Sequence, residues 1–97
     1  GSEMCIRDSN HVDAYYNIGN VLKDHDKLEE AIKFYNKAIS LKPDYADAYF
    51  NIGVALKDQG KFDESIESYE KAIDINPDSY EAWQELAQFH IAGGTSH

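Results

Sequence analysis

The chain has 97 residues, of which 42% are hydrophobic and 12% aromatic, a composition that predicts one small folded domain and excludes a disordered tail. Its 18 acidic and 9 basic side chains give a net charge of −9, which argues against nucleic-acid and anionic-membrane binding, because both need Lys and Arg to neutralise phosphate. A single cysteine excludes an intrachain disulfide framework and a cysteine-rich zinc site. No apolar run is long enough to span a membrane and no secretory signal precedes the fold, which favours a cytoplasmic protein.

Residues 1–9 are predicted to be a disordered leader outside the fold. Gly1 and Ser2 resemble the remnant of a cleaved affinity tag, and residues 4–9 resemble the translation of a sequencing adapter. In that interpretation the leader carries no function, and the sequence could be a fragment of something longer. The alternative is a natural disordered N-terminus.

The remainder of the chain is organised by a repeat. Residues 12–45 align with residues 46–79 at a period of 34, and 18 of the 34 pairs are identical. Each copy contains two segments with apolar residues at helical spacing, separated by a short polar turn. A partial third copy begins at Tyr80. The pattern predicts five helices, with a first repeat over 10–45, a second over 46–79, a capping helix over 80–92 and a tail over 93–97.

Small and aromatic residues recur at fixed repeat positions. Gly19, Gly53 and Ala87 share one position, which predicts close approach of neighbouring helices. In the turns, Gly60 suits a left-handed backbone, and Asp26 takes its place in the first repeat. The recurring aromatic residues are predicted to lie in the core; they are Tyr15, Tyr35, Tyr49, Tyr69 and Trp83.

The repeat resembles the tetratricopeptide repeat over residues 12–92. The resemblance rests on the 34-residue period, an aromatic residue followed by Ile-Gly, a later alanine and aromatic, and the closing prolines Pro43 and Pro77. It implies an all-α fold, a right-handed superhelix of about two and a half helix-turn-helix repeats whose concave face is lined by the first helix of each repeat. It also implies a non-enzymatic scaffold that binds a protein or an extended peptide in this concave groove.

No catalytic, metal-binding or cofactor-binding pattern is found. The histidines lie at unrelated repeat positions without metal-ligand spacing, and the chain has neither a phosphate-binding glycine loop nor a nucleophile elbow. The sequence therefore predicts a protein that is not an enzyme and that uses no cofactor or metal.

One known mode of peptide binding in this family is not supported by the residues. Tetratricopeptide domains that bind the acidic C-termini of chaperones hold the terminal carboxylate with a clamp of lysines, asparagines and an arginine. The asparagine positions match at Asn20 and Asn51, but the basic positions fall on Tyr16, Glu81 and Glu85. Because two carboxylates would repel an acidic peptide, a neutral to basic partner is expected instead.

A second resemblance concerns asparagines on the concave face. Units reading Ala-Tyr-x-Asn-Ile resemble the repeats of O-linked N-acetylglucosamine transferases, in which an asparagine ladder holds the peptide backbone. Asn17 and Asn51 occupy that position; the alternative is that these amides bond to a neighbouring helix. The predicted peptide-binding residues are Asp13, Tyr16, Asn17, Asn20, Lys23, Asp47, Phe50, Asn51, Val54 and Lys57.

The last predicted helix has no partner helix after it. Its apolar side chains are too many for one neighbour to bury, so an exposed patch and weak self-association are predicted. The residues of this patch are Trp83, Leu86, Phe89 and Ile91. Two further interpretations of function stay open, a self-assembling structural module and the repeat segment of a larger enzyme such as a glycosyltransferase.

Overall fold

A computed structural model describes the backbone of residues 2–95 and the side chains of residues 11–89. Within this range all regular secondary structure is α-helical, as the sequence predicted, and short turns join the helices. The helices are α1 (Ser2–Asp24), α2 (Leu28–Leu41), α3 (Ala46–Asp58), α4 (Phe62–Ile75) and α5 (Tyr80–Thr95). Each helix packs on the next in chain order, and α1 also contacts α3, which gives the stacked helical hairpins of a repeat protein.

Two buried tyrosines lie at the centre of the repeats, where glycines let them approach the neighbouring helix. Tyr35 and Tyr69 are completely buried. A Cβ atom added to Gly19 would lie 2.6 Å from Cε1 of Tyr35, and one added to Gly53 would lie 2.6 Å from Cε1 of Tyr69. These contacts confirm the predicted close packing, because any larger residue in place of Gly19 or Gly53 would collide with the tyrosine ring.

The recurring aromatics do not all belong to the core. Tyr15 and Tyr49 are half-buried, whereas Trp83 is 52% exposed. The prediction that Trp83 is a core residue was therefore wrong. The physical reason is that α2 and α4 shield the side chains of α1 and α3, whereas no helix follows α5 in the described part of the chain.

The turns inside the two repeats have the same backbone geometry. The φ angle is 65° at Asp26 and 83° at Gly60, so both residues adopt the predicted left-handed conformation. The next residue bonds back to the preceding helix in each case, with Lys27 N donating to Leu22 O at 2.8 Å and Lys61 N donating to Leu56 O at 2.9 Å. This is the Schellman ending of a helix, which satisfies its last carbonyl groups.

The ends of the chain differ from the predicted boundaries. Helix α1 begins at Ser2, so residues 2–9 continue the first helix over the stretch for which the sequence predicts a leader outside the fold. These residues contain no proline or glycine that would interrupt a helix. At the other end, α5 continues to Thr95 through Gly93 and Gly94, which were expected to begin the tail. A helical glycine costs only about 0.5–1 kcal/mol, which is too little to force a helix to end.

Candidate functional site

Three carboxylates form a row along the first helices of the repeats, and we call Asp13, Asp47 and Glu81 the acidic row. They lie at the same repeat position on α1, α3 and α5, and all three are exposed. An exposed carboxylate keeps its hydration and is accessible to a cationic group. The acidic row therefore gives the first helices one negative charge per repeat, in a chain that is already strongly acidic.

The two ladder asparagines occupy different environments although their repeat positions are the same. Asn17 on α1 is exposed, whereas Asn51 on α3 is 9% exposed. The difference follows from the stacking, because α3 lies against α1 and no helix precedes α1 in the described part of the chain. Of the two amides, Asn17 is the one that a ligand could contact without displacing protein groups.

Asn51 belongs to a polar network that joins the first three helices. Its Nδ2 donates to the Tyr16 hydroxyl at 2.7 Å and to Oδ1 of Asn20 at 3.2 Å. The same Asn20 oxygen accepts a bond of 2.6 Å from the Tyr35 hydroxyl, and Nζ of Lys23 donates to Oδ1 of Asn51 at 3.4 Å. The structure thus places four predicted peptide-binding residues in contacts between helices, which was the alternative interpretation of the ladder asparagine.

The equivalent interface one repeat later is built from different residues. Phe50 and Val54 stand where the network has Tyr16 and Asn20, and both are half-buried. Phe50 packs against Tyr69 with a centroid distance of 5.5 Å. Lys57 Nζ lies 2.7 Å from Glu85 Oε1. These two residues are the repeat equivalents of Lys23 and Asn51, so an ion pair here takes the place of the hydrogen bond in the first interface. Both lysines predicted to bind peptide are therefore engaged by the next first helix.

The apolar interface leaves one buried hydroxyl without a protein partner. The Tyr69 hydroxyl has no hydrogen bond to any described residue, because Val54 replaces the asparagine that serves Tyr35. Burial raises the pKa of Tyr69 above its usual range, and the charges of Glu85 and Asp58 raise it further.

An aromatic pair lies beside the acidic row, and sequence reasoning did not assign Tyr45 to it. The rings of Tyr16 and Tyr45 have centroids 5.0 Å apart, and Nζ of Lys42 lies 5.1 Å from the Tyr45 centroid. The pKa of Tyr45 is raised to about 12. Burial is the largest cause, followed by Tyr16 and by the charges of Asp13 and Asp47. Tyr45 aligns with a serine in the next repeat, so the repeat pattern gave no reason to single it out; an aromatic residue in a short turn was the only signal.

The described residues of the predicted terminal patch differ in exposure. Leu86 is 6% exposed, so it belongs to the core and not to a surface. Phe89 is half-buried, with its ring 5.7 Å from that of Phe62 and 6.0 Å from that of Tyr69. The side chain of Ile91 lies outside the described residues. Trp83 is 52% exposed, because α4 covers the side of α5 that carries Leu86 and Phe89 and not the side that carries Trp83.

Among residues 11–89, no cluster of three or more His, Cys, Asp or Glu side chains has a geometry that could hold a metal ion. No helix in the described range combines the length and the apolarity that crossing a membrane would require.

Comparison with known proteins agrees with the fold. Models of the tetratricopeptide repeat, described as "TPR repeat" and "Tetratricopeptide repeat", match residues 19–60, 46–79 and 68–96. The chain therefore carries tetratricopeptide repeats. A search of curated protein sequences gives no match.

Solved structures with the same fold include MamA and YrrB. Two crystal structures of MamA are 35% identical to this chain, with TM-scores of 0.82 and 0.80, and the match covers 86% of this chain and 48% and 45% of theirs. YrrB, described as a TPR protein with an unusual peptide-binding site, is 30% identical with a TM-score of 0.76 over 79% of this chain and 40% of its own. The chain thus spans less than half the length of these similar proteins.

Proposed function

We propose that the protein is a non-enzymatic interaction module that binds an extended, neutral to basic segment of another protein along α1, α3 and α5. The observation that carries the proposal is the acidic row, one exposed carboxylate on each first helix at the same repeat position. Carboxylates in this arrangement attract Lys and Arg and repel acidic peptide ends. The similarity to YrrB, whose description names a peptide-binding site, supports the same class of ligand.

The spacing of the acidic row favours an extended ligand. Helices in contact lie about 8–10 Å apart, so Asp13 on α1 and Asp47 on α3, whose helices touch, are separated by roughly that distance. An extended chain advances about 3.3 Å per residue, so about three residues span one step of the row. A segment with a basic residue at every third position would place one cation opposite each carboxylate.

The aromatic pair and the exposed amide add to this surface. Tyr45 lies near enough to Asp13 and Asp47 for their charges to raise its pKa, and Nζ of Lys42 already lies over its ring. A cation held between a carboxylate and an aromatic ring is stabilised by both. The exposed amide of Asn17 can donate to and accept from a peptide group of the ligand.

The proposal is tested with three labelled alanine-based peptides of equal length, of which the first two carry three lysines each and share one composition. In one peptide the lysines occur at every third position, in the second they are adjacent, and in the third they are replaced by glutamates. Fluorescence anisotropy should give a Kd about tenfold lower for the first peptide than for the second, and no binding of the third. Asn17→Ala should weaken binding without loss of helicity.

Neutralising the acidic row provides the matched control. Replacing Asp13 and Asp47 with asparagine and Glu81 with glutamine should remove the preference for three-residue spacing. The control neutralises three exposed acids elsewhere, as Glu29→Gln, Glu30→Gln and Glu64→Gln, and should retain that preference. Equal affinities of the first two peptides, or tighter binding of the glutamate peptide, would show that the row does not select the ligand.

Self-assembly through the exposed Trp83 on α5 stays a prediction from the sequence, and the net charge of −9 on each copy opposes it. A role as the repeat segment of a larger enzyme and a cytoplasmic location stay predictions from the sequence. Light scattering over a wide concentration range tests self-assembly. A dimer or larger oligomer would support it, whereas a monomer at every concentration would exclude it and leave Trp83 accessible to other partners.

A further inference from the structure

A second surface, separate from the acidic row, lies between α4 and α5. It is a groove of about 410 Å³, and we call it the α4–α5 groove. Its lining residues are Glu70, Ile73, Asp74, Trp83, Leu86 and Ala87. Its floor is apolar and its α4 edge carries two carboxylates. Such a floor with a charged edge is typical of a surface that receives an amphipathic helix.

The protein itself shows what occupies the equivalent surface one repeat earlier. Gly53, at the position of Ala87, is covered by α4, whose Tyr69 ring packs against it and whose Ser65 Oγ donates to the Gly53 carbonyl at 2.6 Å. Gly19 on α1 is covered by Tyr35 of α2 in the same way. A helix of 14 residues is therefore the occupant that this repeat geometry accepts. At α5 the third such position is exposed.

Two features of α5 adapt the groove to a helix from another molecule. Trp83 is 52% exposed, and its Nε1 donates to the Pro77 carbonyl at 2.9 Å, which fixes the ring at the edge of the groove. A large ring already held in place loses little side-chain freedom on binding and makes an effective anchor. Ala87 fills the space that Gly53 leaves for a tyrosine, so the entering helix must present a smaller side chain there.

The charges at the edge define the partner. Glu70 and Asp74 occupy the repeat positions that Asn36 and Ser40 hold in the first repeat. The edge is thus neutral in the first repeat and carries two carboxylates at the α4–α5 groove. A second copy of this chain has a net charge of −9 and would be repelled, whereas a basic helix would be attracted.

We propose that the α4–α5 groove docks an amphipathic helix of a partner protein, with small apolar side chains on its buried face and Lys or Arg along the edge that meets Glu70 and Asp74. This binding is independent of the extended segment proposed for the acidic row. The two surfaces would let one module hold two segments simultaneously.

The test uses a labelled 14-residue model helix with alanine and leucine on one face and lysine on the other, and a counterpart with glutamate in place of lysine. Trp83 is the chain's one tryptophan, so its emission reports on the groove directly. The lysine helix should shift that emission to shorter wavelength and bind at least about tenfold more tightly than the glutamate helix, as judged by anisotropy. Trp83→Ala should weaken binding about tenfold while circular dichroism is retained.

Charge reversal separates a specific groove from general attraction to an acidic protein. Glu70→Lys with Asp74→Lys should reverse the preference to the glutamate helix. Glu29→Lys with Glu30→Lys on α2 changes the net charge equally and should leave the preference unchanged. Replacing Asp13 and Asp47 with asparagine should also leave it unchanged, which distinguishes this surface from the acidic row. Equal effects of the two reversals, or a Trp83 shift that appears only as the protein forms dimers, would overturn the proposal.

Discussion

Tyr35 and Tyr69 share a repeat position and are both fully buried, yet their hydroxyls differ in hydrogen bonding. The Tyr35 hydroxyl donates to Asn20 at 2.6 Å, whereas the Tyr69 hydroxyl has no partner among the described residues. A buried hydrogen bond contributes about 1 kcal/mol, and a buried unpaired polar group costs about 1–3 kcal/mol. The first repeat interface therefore satisfies its buried tyrosine hydroxyl with a polar network, whereas the second packs apolar side chains around an unpaired hydroxyl oxygen.

This difference predicts that replacing tyrosine with phenylalanine has opposite effects on stability at positions 35 and 69. Tyr35→Phe should lower the free energy of unfolding by about 1 kcal/mol, because Asn20 loses a donor. Tyr69→Phe should leave stability unchanged or raise it by up to about 1 kcal/mol, because it removes the unpaired hydroxyl. Urea unfolding followed by circular dichroism compares the two variants, and each is the control for the other. Equal losses in both would contradict the assignment of the unpaired group.

The residue scale is also where prediction from the sequence was weakest. Asn17 and Asn51 are identical residues at identical repeat positions, so the pattern could not separate an exposed amide from a buried one. Their environments are decided by which helix lies alongside, and that depends on the position of the repeat in the stack. The same reason explains why Trp83 is exposed although Tyr49 is half-buried.

At the scale of the helices, sequence patterns predicted most of what the structure contains. The apolar spacing gave five helices in the correct order, and Gly60 and Asp26 gave the left-handed turns. Helices α1 and α5 extend past the boundaries expected at residues 9 and 93, since neither the leader sequence nor Gly93-Gly94 prevents helical hydrogen bonding.

The equivalent turns at Asp26 and Gly60 allow the effect of the left-handed residue on stability to be measured by substitution. A residue with a Cβ in the left-handed conformation costs about 1 kcal/mol relative to glycine, and aspartate tolerates it better than most. Asp26→Gly should therefore raise the melting temperature slightly, and Gly60→Ala should destabilise the protein by about 1 kcal/mol. Nothing lies within 4 Å of a Cβ added to Gly60, so backbone strain would be the only cause. Thermal unfolding measures both, and a stabilising Gly60→Ala would refute the assignment.

At the scale of the whole molecule, the buried tyrosines set the response to alkaline pH. Burial raises the pKa of Tyr35 and Tyr69 above the usual value near 10, and the pKa of Tyr45 is raised to about 12. Below pH 10 both the folded and the unfolded state keep these protons, so their stabilising effect is fully present. Above pH 10 the unfolded state ionises first, and stability falls as pH rises through the folded-state pKa values.

The expected result is a constant free energy of unfolding between pH 8 and about 9.5 and a steep loss above about pH 10.5. Urea titrations at each pH give this curve, and absorbance at 295 nm reports phenol ionisation in the same samples. Tyr35→Phe should make the alkaline loss shallower. Ionisation of all seven tyrosines before any helix is lost would contradict the role of burial.

The polar network of α1 to α3 has a consequence for the order of the repeats. Asn51 is buried against Tyr16 and Asn20, which supply the oxygen atoms that its amide needs. If the second repeat came before the first, Asn17 would be buried against Phe50 and Val54, which offer no acceptor. Two units that share 18 of 34 residues are therefore not interchangeable. Only the native order of the repeats gives the buried asparagine its acceptors.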